Sequence, residues 1–159
     1  MHSNPYAPPK SEVADIQQTA VAPPLWNPNA AANWSLLFSP AFGAFLHMKN
    51  WQALGESTKA SAAKTWAVVS LSLILGLSAL SALAPTSSPF ASMPRSVGLI
   101  LLLTWYFTSA REQAKYVKEQ FGKEYPRRGW AKPLLLALLV FLGFFVVIFI
   151  VAAFSTLYR

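Results

Sequence analysis

Few residues in this chain could move protons, hold a metal or attack a substrate. Its 159 residues include six acidic side chains, two histidines and no cysteine. Without cysteine there are no disulfides, thiol nucleophiles, iron–sulfur clusters or thiolate zinc sites. The acids are Glu12, Asp15, Glu56, Glu112, Glu119 and Glu124. General acid–base chemistry needs a matched pair, and Glu112, Glu119 and Glu124 have lysine neighbours that mark a solvated face. His47, beside Met48 and Lys49, reads as a polar residue at a helix end, with a pH sensor as the alternative. Serines are plentiful, but a serine nucleophile within a bilayer needs a buried histidine or lysine beside it. No Gly-rich phosphate loop, metal-ligand spacing or cofactor motif is present. The expectation is a non-enzymatic protein with no cofactor.

The elements that must carry these residues are set by composition. Hydrophobic residues make up 54% of the chain and charged residues 12%, with a mean hydropathy of +0.38. That charged share is about half the ~25% of a soluble domain, and a core this small cannot hide such an apolar surplus. The surplus is concentrated in blocks. Residues 133–154 run 22 positions without a charge or a hydrogen-bonding side chain. At ~1.5 Å per residue they reach about 33 Å, enough for a ~30 Å hydrocarbon core. Residues 66–84 are also uncharged, and the four serines among them can bond back to helix carbonyls. Residues 96–110 are shorter, but Arg95 and Arg111 can snorkel at either end. The segment 30–48 is broken by Asn33, Pro40 and Gly43, with Pro40 and Gly43 as hinge residues. It reads as a fourth crossing, with a segment that re-enters or lies in the interface, and an N-terminus inside, as the alternative. The expected fold class is an all-α polytopic transmembrane bundle of four spans, with both termini outside.

Lysine and arginine orient it. The loop 111–132 holds Arg111, Lys115, Lys118, Lys123, Arg127, Arg128 and Lys132, and the loop 49–64 holds Lys49, Lys59 and Lys64. The connection 85–94 holds none. Positively charged loops stay in the cytoplasm, which puts 49–64 and 111–132 inside a bacterial inner (cytoplasmic) membrane. The net charge of +7 is explained by these flanking residues, which favour anionic lipid, and nucleic acid is not an expected partner. Trp34, Trp51, Trp66 and Trp130 sit near span ends and read as interfacial anchors, as do Trp26 and Tyr158.

Residues 1–29, rich in proline, read as a flexible tail preceding a transmembrane domain over 30–159. Within that domain, 111–125 reads as a basic cytoplasmic helix. Ala114, Val117, Phe121 and Tyr125 give it one apolar stripe, and Lys115–Glu119 and Glu119–Lys123 are favourable pairs. It either bends onto the membrane surface or docks a protein through Lys115, Lys118, Lys123, Arg127 and Arg128. In 66–84, Ser72, Gly76 and Ala79 form a small-residue face for close helix approach, expected to be used within the chain, with a partner's helix as the alternative. A coupled carrier places ionisable residues in the membrane, and the three clearest spans have none. A passive oligomeric pore with Ser72, Ser78 and Thr104 is the remaining transport reading.

The stretches WNPNAAANWSLLFSPAFGAFLHMKNWQALG (26–55) and YVKEQFGKEYPRRGWAKPL (116–134), with the apolar spans between and after them, resemble a widespread group of uncharacterised small bacterial inner-membrane proteins. The resemblance covers roughly 26–158. Stand-alone members of that group are similar to membrane immunity proteins of toxin–immunity pairs. The resemblance implies no catalytic residues. The expected function is the binding of another membrane-active protein, in its most concrete form the neutralisation of a pore-forming or membrane-targeted bacterial toxin. The alternatives are an oligomeric pore or small-solute transporter, and a scaffold that recruits cytoplasmic partners. The expected partners are the lipid bilayer and a cognate toxin or other membrane protein.

Overall fold

A computed structural model describes residues 21–85 and 87–157. Most of the expected tail, with His2, Lys10, Glu12 and Asp15, lies outside those residues, as do Tyr158 and Arg159. The described chain is helical: α1 (Pro28–Phe38), α2 (Pro40–Ala53), α3 (Ser57–Leu83), α4 (Met93–Trp105), α5 (Arg111–Phe121) and α6 (Ala131–Leu157). A 3₁₀ turn at Pro89–Ala91 precedes α4, and a π-helical turn at Tyr106–Ala110 joins α4 to α5. Among the described residues, two helices are long and apolar enough to cross a membrane, α3 and α6 over Ala131–Phe154.

The segment expected to make the first crossing is folded double. Asn27 opens α1 by accepting hydrogen bonds from the N–H groups of Asn29 (3.0 Å) and Ala30 (3.3 Å), and Pro28 occupies the first helical position, where no N–H is needed. Ser39 then breaks the helix with φ 136° and ψ 161°, a conformation otherwise nearly confined to glycine. Pro40 starts α2. The two helices run antiparallel. Ser35 lies against Gly43, the Pro28 carbonyl meets His47, and Trp26 pairs with Asn50. The hairpin's entry and exit therefore lie at one end of the bundle, so 30–48 is not the single crossing the sequence suggests. Pro40 is the first residue of a helix rather than a kink inside one. Gly43 is no hinge either, since it lies within α2 at a point of close helix contact.

Other parts of the chain meet the hairpin at that same end, while Phe141 of α6 packs against Phe38 at its tip, 6.2 Å between ring centroids. Leu25 is fully buried, donates its N–H to the Pro126 carbonyl and accepts from Arg128 N–H, each at 2.9 Å. Residues 25–29 thus belong to the folded body rather than to a tail. The start of α3 meets α5 through Tyr116, whose hydroxyl donates to Glu56 Oε1 at 3.1 Å. Helices α4 and α5 run end to end, because the residues at the junction all keep helical dihedrals. The π turn inserts one residue into this rod. The insertion lets Trp105, Ala110, Gln113 and Val117 all face the interior, where an unbroken 3.6-residue repeat would turn Ala110 away from Trp105.

Candidate functional site

The described residues hold three features that could serve a function, and the first is a polar knot at the base of the hairpin. Asn50 is fully buried near the end of α2. Its Oδ1 accepts from the Trp26 backbone N–H at 3.0 Å, and its Nδ2 donates to the Trp26 carbonyl at 2.8 Å. Nδ2 also donates to Gln113 Oε1 at 3.1 Å, and Gln113 Nε2 donates to the His47 carbonyl at 2.8 Å. Two amide side chains thereby tie residue 26, α2 and α5 together, with most of their hydrogen-bonding capacity satisfied. His47 lies beside them, buried inside α2 rather than at a helix boundary. Its Nε2 is 3.2 Å from the Pro28 carbonyl, which can only accept, so Nε2 carries the proton. Its ring meets Trp105 edge-on, at 5.3 Å between centroids.

A cationic clamp closes the same end. Trp51, read from sequence as an interfacial anchor, is buried against Tyr116 with centroids 5.1 Å apart. Lys59 lies 4.7 Å from the Trp51 ring and 4.6 Å from the Tyr116 ring, with Glu112 and Glu56 at 3.7 Å and 3.9 Å. Burial pushes the Tyr116 phenol above its ordinary value, and the nearby Glu56 carboxylate adds to the shift. Trp26 stacks under Arg128 at 4.7 Å and donates from its indole to the Gly129 carbonyl at 3.0 Å. Trp34 is exposed on α1, whereas Trp66 and Trp130 are half-buried, Trp66 against the Trp105 cluster.

The basic residues of the expected cytoplasmic helix divide in two. Lys115 pairs with Glu119 at 3.8 Å, and Lys118 sits in the last turn of α5. The helix stops at Phe121, because Gly122 takes φ 62°, so it is shorter than the expected 111–125. Lys123, Arg127 and Arg128 follow in a non-helical connection, and Tyr125 is not part of a helical stripe.

The second feature is a groove between the hairpin, α3 and α6. It encloses about 470 Å³ and is lined almost wholly by aliphatic and aromatic side chains, among them Phe42, Phe45, Leu71 and Phe141.

The third is the face formed by Ser72, Gly76 and Ala79. All three are exposed, and a Cβ built on Gly76 would meet nothing within 4 Å. The face lies on the side of α3 away from the buried Ala63 and Ser70. The packing within the chain that the sequence suggests is therefore absent at these positions.

No family model, curated protein or solved structure matches the chain. The Asn50–Gln113 pair and the burial of His47 were missed by the sequence reading. The only sequence signal for them was a set of polar residues (Asn27, His47, Asn50) bracketing an otherwise apolar segment.

Proposed function

We propose that this is a non-enzymatic integral membrane protein that binds another membrane-active protein inside the bilayer. In this reading α3, the 96–110 part of the α4–α5 rod and α6 cross the membrane. The hairpin 28–53 enters from the cytoplasmic face and returns to it. The loops 49–64 and 111–132 and the chain at residue 25 then share the cytoplasmic side, as the lysine and arginine bias requires. Non-spanning backbone at membrane depth is tolerated where protein buries it, and the hairpin has α3, α5 and α6 around it.

The observation that carries the binding role is the outward Ser72–Gly76–Ala79 face. Small residues let helix backbones approach closely in lipid, where helix association depends on such contact. A transmembrane helix of another protein fits a face that the chain's own helices leave open. The most concrete partner is a pore-forming or membrane-targeted bacterial toxin, bound so that it cannot assemble.

The test is survival of cells expressing a toxin encoded beside this protein, with membrane potential recorded. The wild type is expected to preserve both viability and potential. Gly76→Leu, which fills the face without touching the polar knot, is expected to abolish protection while the protein still accumulates in the membrane. Absence of rescue by the wild type against every neighbouring toxin would overturn the proposal.

A further inference from the structure

The groove between the hairpin, α3 and α6 has a charged end. On α2 the lining residues Phe42 and Phe45 are followed one turn later by Lys49, whose Nζ lies 5.7 Å from the Phe45 ring centroid. On α3 the lining residues Ala67, Val68 and Leu71 are preceded one turn earlier by Lys64. Helical spacing puts each lysine on the same stripe as the apolar residues of its own helix. On α6 the lining begins at Pro133, directly after Lys132. The helices run so that all three lysines fall at the basic end of the bundle, where Leu25 pairs with Pro126 and Arg128. The ion pairs among the described residues use Lys59 and Lys115 rather than any of these three.

We infer that the groove is a binding site for an anionic phospholipid of the cytoplasmic leaflet, one acyl chain lying along the apolar wall and the phosphate held by Lys49, Lys64 and Lys132. Volume, access and charge each support this occupant. With ~30 Å³ for a group the size of a water molecule, a groove of about 470 Å³ holds about fifteen methylenes, most of one acyl chain. Val68, Leu71 and Val140 line it and are 55%, 47% and 60% exposed, so it opens sideways to lipid and a chain enters without crossing water. Basic pockets between helices at the cytoplasmic face select anionic headgroups, and long lysine stems reach the headgroup level from apolar surroundings. A site of this kind goes beyond the proposed toxin-binding face, which lies elsewhere on α3.

Titration of the purified full chain in detergent with phosphatidylglycerol and with phosphatidylcholine, read by native mass spectrometry, tests the site. The wild type is expected to retain one phosphatidylglycerol and to prefer it over phosphatidylcholine by roughly ten-fold or more. Lys49→Gln combined with Lys64→Gln is expected to remove the preference while leaving the melting temperature without added lipid unchanged. Ala137→Phe, which fills the groove, is expected to lose both lipids, and inorganic phosphate alone is expected not to compete. Equal retention of the two lipids by the wild type would overturn the site. So would an undiminished preference in the double variant, or displacement of the lipid by inorganic phosphate. Toxin protection failing while this preference holds would refute the proposed function alone.

Discussion

Asn50 and Gln113, 63 positions apart, share a buried hydrogen bond of 3.1 Å. Through it the end of the hairpin is fixed to the rod that contains α4 and α5. Asn50 also holds both backbone groups of Trp26, so one side chain decides that the chain entering the hairpin and the chain leaving it lie side by side. Asn50→Leu would leave the Trp26 backbone groups and Gln113 Oε1 without partners, while Gln113 Nε2 keeps the His47 carbonyl, at ~1–3 kcal/mol for each buried polar group left unsatisfied. Thermal unfolding in detergent is expected to show a loss of several kcal/mol on that scale. Gln113→Leu alone is expected to cost less, because Asn50 keeps Trp26. The double variant is expected to be less destabilised than the two single losses added together.

Gly43 is fixed by its surroundings. A Cβ there would collide with Ser35 Oγ and with the Trp105 ring. Gly43→Ala is expected to destabilise the fold by about 1–3 kcal/mol, the usual range for overpacking, and Ser35→Gly in the same chain is expected to recover part of that loss. Gly143→Ala on α6, where a Cβ would meet nothing within 4 Å, serves as the neutral control in the same melting series.

Ser39 stores strain at the hairpin tip. At φ 136° a side-chain-bearing residue costs ~1–3 kcal/mol, while glycine gives back about 0.5–1 kcal/mol through unfolded-chain entropy. Ser39→Gly is therefore expected to raise the unfolding temperature. A lowered temperature would mean that the serine hydroxyl contributes more than the strain removes.

At Tyr116 the phenol is held above its ordinary value of 10.0 by burial and by the Glu56 carboxylate. A group whose folded pKa is raised stabilises the fold below its unfolded pKa, and this contribution is lost as pH rises through the folded value. The stability difference between the wild type and Tyr116→Phe is expected to be constant up to about pH 10, the ordinary tyrosine value. Above that pH the wild type is expected to lose its advantage. Denaturation at a series of alkaline pH values measures this difference.

Much of the fold was legible where apolar runs are long. The blocks 66–84 and 133–154 became α3 and α6, because bilayer-length helices need only uninterrupted hydrophobicity. Gly122 marked a helix end correctly, but the apolar stripe carried the reading on to Tyr125. The hairpin was legible only as the re-entrant alternative to a fourth crossing. Pro40 carries the same local signal whether it kinks one helix or starts a second, and Ser39, the residue that turns the chain, is not a residue that favours such a φ. The choice was settled by contacts distant in sequence, Trp26 with Asn50 and Leu25 with Pro126 and Arg128. Trp51 failed as an anchor for the same reason, since the ring that covers it comes from Tyr116 on another helix. The small-residue face was visible as a pattern, but which side of α3 it occupied depended on the packing of Ala63 and Ser70.

In the proposed topology the segment 28–53 returns to the side of the membrane from which it enters. Because the chain has no cysteine, single replacements can be labelled in cells with a membrane-impermeant thiol reagent without background. Asn29→Cys, Ser57→Cys and Lys123→Cys are expected to label only after the cytoplasmic face is opened, and Ser87→Cys in intact cells. Labelling of Asn29→Cys in intact cells alongside Ser87→Cys would overturn this topology, because the segment 28–53 would then have to be a crossing.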